Sequence, residues 1–67
     1  MGSPRAELSS ITTALGELGG RITSIAERAN GTDVDWLTTD LFEVERSLGE
    51  ANRRLTKVLE RLRVAGA

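Results

Sequence analysis

The 67-residue sequence has no cysteine, no histidine and no tyrosine, and only one proline, one phenylalanine and one tryptophan. Without cysteine there is neither a disulfide framework nor a thiolate metal site. Without histidine the commonest imidazole ligand and the commonest general base are both missing. The serines and threonines therefore lack a plausible base, and Lys57 falls on a solvated flank. Neither a dinucleotide-binding glycine fingerprint nor a phosphate loop occurs, and so short a chain is not expected to wall a pocket. The expectation is a protein that is not an enzyme and has no cofactor, metal or small-molecule ligand.

Long apolar runs are also missing. No stretch approaches the roughly 18 consecutive apolar residues of a membrane span. Residues 1–5 lack the apolar core of a signal peptide, so a cytoplasmic location is expected. A net charge of -1, with 28% charged residues, selects no partner by global electrostatics. An aromatic content of 3% against 39% hydrophobic residues suits a helical protein better than a sheet. At this length residues 1–67 form one small domain, of a size that often needs a staple or a partner.

What the sequence does have is periodicity. Leu8, Ile11, Leu15, Leu18, Ile22, Ile25 and Ala29 recur at alternating spacings of three and four. The same alternation runs without a slip through Val34, Leu37, Leu41, Val44, Leu48, Ala51, Leu55, Val58, Leu62 and Ala65. Two such heptad seams predict an all-α fold, with helices over about 4–29 and 33–64 and a turn over about 30–32. Ser3-Pro4 offers an N-cap followed by proline at the first helical position. Asn30-Gly31 can adopt the left-handed conformation that ends a helix, and Thr32 or Asp33 can cap the next, with Thr32 and Asp35 spaced like a weak capping box. A turn this short makes the helices an antiparallel coiled-coil hairpin. Walking outward from the turn sets Ile22 near Leu41, Leu15 near Leu48 and Leu8 near Leu55.

A two-stranded seam leaves each aliphatic side chain partly wet, so a second contact surface is expected. With Leu8 and Leu41 at heptad position a, the flanking b and e positions of the first helix are small and uncharged: Ser9, Thr12, Gly16, Gly19, Thr23 and Ala26. The second helix answers with Phe42, Glu45, Gly49, Asn52, Thr56 and Leu59. Glycine inside a helix costs roughly 0.5–1 kcal/mol relative to alanine, so Gly16, Gly19 and Gly49 imply a compensating close approach. The expected oligomer interface comprises Thr12, Gly16, Gly19, Thr23, Ala26, Phe42, Gly49, Asn52 and Leu59. Through it the hairpin dimerises into a four-helix bundle. The opposite flank, from Glu7 to Arg28 and from Asp40 to Arg61, is charged and faces water.

Other patterns have competing readings. Asp33, Asp35, Asp40 and Glu43 could be a metal cluster, but they lack the spacing of a calcium loop and are better explained by the positive end of a helix dipole. Trp36 either covers the end of the hairpin or is a hot spot for a partner protein. Asn30-Gly31-Thr32 fits a glycosylation sequon, but without a secretory signal the turn explains it. Gly16 and Gly20 form a small-residue pair with Glu17 and Arg21 beside it, which argues against a membrane dimer. Arg53, Arg54, Lys57, Arg61 and Arg63 are the candidate nucleic-acid contacts, although Glu60 interrupts them and no aromatic accompanies them. In architecture alone the hairpin is similar to dimeric RNA-binding hairpins of the Rop type. The leading expectation is a self-associating interaction module whose smooth face takes a copy of itself or another protein, and the alternative is an RNA- or DNA-binding hairpin.

Overall fold

The computed structural model describes residues 3–66. Two α-helices, α1 (Pro4–Ala29) and α2 (Trp36–Val64), pack against each other as a hairpin. Its extents are 52 × 20 × 11 Å. The radius of gyration, 15.5 Å, exceeds the roughly 11 Å of a compact chain of this length. The molecule is a single layer of two rods.

The start of α1 follows from its local chemistry. Ser3 is extended (φ -76°, ψ 155°) and its Oγ accepts a hydrogen bond from the Ala6 amide at 3.1 Å. Pro4 lies in the first turn, where its missing N–H leaves no helical bond unmade. At the other end Asn30 leaves the helix extended, at φ -61° and ψ 128°. Gly31 takes the left-handed conformation instead, at φ 79°, as Gly66 does after α2, at φ 77°.

The connection differs from its sequence reading in length. Residues 33–35 form a turn, and α2 begins at Trp36 instead of about residue 33. The Asp35 and Leu37 amides donate three residues back, to the Thr32 and Val34 carbonyls, at 3.1 and 3.0 Å. The Thr32–Asp35 capping box does not form, since Asp35 makes no side-chain cap. Instead the Thr32 hydroxyl donates to the Ala29 carbonyl at 2.7 Å and accepts from the Val34 amide at 3.2 Å. One side chain thereby ties the end of α1 to the turn.

Two side-chain bonds fix the register between the helices. The Thr38 hydroxyl donates to the Ala26 carbonyl at 3.3 Å, and the Thr23 hydroxyl donates to Glu45 Oε2 at 3.1 Å. Leu15 and Leu48 line one shallow groove further along, in keeping with the pairing read from the heptads.

Candidate interaction surface

Which heptad rows the hairpin covers decides which surface remains. Row a is half-buried within the helices, at Leu8, Leu15 and Ile22 on α1 and Leu41, Leu48, Leu55 and Leu62 on α2, while Val34, in the turn, is exposed. The second covered row is e: Thr12, Gly19 and Ala26 against Thr38, Glu45, Asn52 and Leu59. Row d was expected to share the seam; Leu37, beside the turn, is half-buried, but the rest of the row is exposed. Ile11, Leu18, Ile25, Val44 and Val58 are each between 42% and 46% exposed.

A physical reason can be read at Gly19 and Ala26. Small residues on row e let α2 lie over that flank of α1, and a Cβ added at Gly19 would meet Glu45 Cγ at 4.0 Å. Ala26 is completely covered, at 0% exposure, beneath the Thr38 hydroxyl that bonds its carbonyl. Each helix is therefore turned about its axis so that e faces the neighbouring helix and d lies at the outer edge of the contact. The only buried hydrophobic residues of the described chain are Ala26 and Ala29. No large side chain is fully buried.

The residues expected at an oligomer interface divide accordingly. Ala26 is inside the hairpin and out of reach of a second chain. Thr12, Gly19, Thr23, Gly49, Asn52 and Leu59 are half-buried, while Gly16 and Phe42 are exposed. Gly16, Gly19, Gly20 and Gly49 line a shallow mid-length groove of about 260 Å³ with Thr23, Glu45 and Asn52. Asn52 Oδ1 is buried with no hydrogen-bond partner. Of these glycines only Gly19 lies within contact range of the other helix, and Gly16 and Gly20 open on free space.

The charged flank is exposed throughout, from Glu7 to Arg28 and from Asp40 to Arg61. Arg53, Arg54, Lys57, Arg61 and Arg63 are exposed too. Acids lie among them: Glu50 shares a surface hollow with Arg53, Arg54 and Lys57, and Glu60 borders both Arg61 and Arg63. Trp36 does not cover the end of the hairpin, because it is among the most exposed apolar residues. Among the described residues no group of His, Cys, Asp or Glu is placed to hold a metal, and no helix is long and apolar enough to cross a membrane. No family model, curated protein or solved structure matches the chain.

Sequence reasoning identified the apolar rows but missed which of them stays free. The usable signal was the small size of Gly19 and Ala26, which marks the side of closest approach.

Proposed function

We propose that this chain is a non-enzymatic self-association module whose working surface is the row d face. One observation carries the reading: within the two helices, from Leu8 onward, rows a and e are half-buried or buried, while row d, apart from Leu37 beside the turn, is exposed. In a two-stranded coiled coil, a and d share one seam. In a four-helix bundle each helix has two neighbours, so a and d point to the bundle axis, e faces one neighbour and g faces the other. Coverage of a and e with d free is the pattern of half a bundle. Ile11, Leu18 and Ile25 on α1 and Val44, Ala51 and Val58 on α2 then form the second half of its core.

Apolar burial supplies the driving force, since none of the large aliphatic residues is fully buried in one hairpin. The charged g row, next to d, sets orientation more than affinity.

Sizing with light scattering tests this directly. Wild type should have twice the mass of the 7.2 kDa chain, and Leu18→Glu should abolish the dimer. Gly16→Trp should leave it intact, because Gly16 lies on the other side. A monomeric wild type sinks the proposal. A dimer broken by Gly16→Trp but not by Leu18→Glu would move the interface to the glycine face. A far-UV circular dichroism spectrum of each variant separates lost pairing from lost helix.

A further inference from the structure

We infer that the second copy lies antiparallel across the row d face with its turn at the opposite end, so that Trp36 of each chain packs on the partner's Val64. This rests on the self-association reading and specifies its geometry.

The starting point is a pair of residues that the hairpin leaves bare. Trp36 is 63% exposed and Val64 is 83% exposed. They are the first and last residues of α2, about 42 Å apart at about 1.5 Å per residue. They also share a heptad row, with Glu43, Glu50 and Lys57 between them at intervals of seven. Reversing α2 about Glu50, its midpoint, sets Trp36 level with the partner's Val64 and Glu43 level with the partner's Lys57. The row is complementary to its own reverse, except for Glu50 meeting its copy on the axis. An isologous two-fold contact requires such self-complementarity.

The neighbouring rows agree. The same two-fold places Val44 against the partner's Val58 and Asp40 against the partner's Arg61. Because Leu15 and Leu48 are neighbours in the hairpin, the axis that crosses α2 at its midpoint crosses α1 near Ala14. There it pairs Ile11 with the partner's Leu18 and Glu7 with the partner's Arg21. No like-charged pair falls on the g row, where it would be destabilising.

Placing both turns at the same end is the competing arrangement. Its g row charges are also compatible, with Glu7 near the partner's Arg54 and Arg21 near the partner's Asp40. It sets Trp36 and Val64 at opposite ends of the dimer, however, and both stay in water. It also brings Glu17 towards the partner's Glu43. The end residues and the outer charges therefore select the antiparallel form.

Single spin labels on Asp33→Cys, in the turn, measure the arrangement. The inferred dimer separates the two labels by close to the 52 Å length of one hairpin. Turns at the same end would bring them to within about 10–20 Å, the reach of neighbouring helices plus linkers, and would overturn the inference while leaving self-association standing. A single hairpin by sizing overturns the self-association beneath it and leaves the face to a foreign helix. In the dimer, Val64→Asp should shift Trp36 emission to the red. Within one chain these sites are too far apart to communicate, so an unchanged spectrum from a variant that is still dimeric also overturns the inference.

Discussion

Two glycine-to-alanine substitutions should move stability in opposite directions although each adds one methyl group to open space. A Cβ built at Gly31 or at Gly16 meets nothing within 4 Å. Only the backbone differs. Gly31 sits at φ 79°, and an L residue in the left-handed region costs roughly 1–2 kcal/mol. Restricting the unfolded chain returns about 0.4–1 kcal/mol, so Gly31→Ala should destabilise by about 0.5–1 kcal/mol. Gly16 lies inside α1, where alanine gains about 0.5–1 kcal/mol. The two variants should therefore differ by about 1–2 kcal/mol, or roughly 4–16 °C in midpoint for a domain this small. Urea titrations followed by circular dichroism at one fixed protomer concentration measure the difference, because association makes apparent stability depend on concentration. Equal shifts of the same sign would refute the backbone account of the turn. A destabilising Gly16→Ala would refute the claim that this face is free of a second chain.

Three further substitutions test individual contacts. Ser3→Ala removes the acceptor of the Ala6 amide and should cost about 0.5–2 kcal/mol, seen by hydrogen exchange as fraying of the first turn of α1. Thr32→Val removes the hydroxyl that bridges the Ala29 carbonyl and the Val34 amide. A loss of about 1–2 kcal/mol is expected for the two bonds together, and wild-type stability would show that the turn holds without them. Asn52→Leu should stabilise by about 1–2 kcal/mol, since Asn52 Oδ1 is buried without a partner. A loss of stability in the same urea titration would mean that this oxygen is satisfied in solution.

Much of the hairpin could be read from residue order because its signals are local. Ser3-Pro4 starts α1 and Gly31 ends it through conformational preferences that act within a few residues. The start of α2 was harder to place. The turn from Thr32 to Asp35 uses bonds three residues back, and its spacing of Val34 and Leu37 looks like the first turn of a helix. The rotation of the helices was not legible from the apolar pattern. Spacings of three and four mark rows a and d together, whereas the contacts that turn row e inward are polar and long-range. The Thr23 bond to Glu45 joins residues that a pattern assigns to the surface.

That mismatch between pattern and packing is informative. Had rows a and d both been covered, the sequence would be fully explained by a two-stranded hairpin, and the exposed flanks would be solvated surface. Instead Ile11, Leu18, Ile25, Val44 and Val58 keep a regular heptad spacing that the contacts within one chain use only in part. Isolated surface aliphatics need no explanation, but a contiguous row on one side of both helices does. Row d and the complementary charges beside it are what a second pair of helices would require, and row e, with its glycine and alanine, is what the first pair requires. Assigning the rows to different neighbours accounts for the residues of both, which a single seam cannot do.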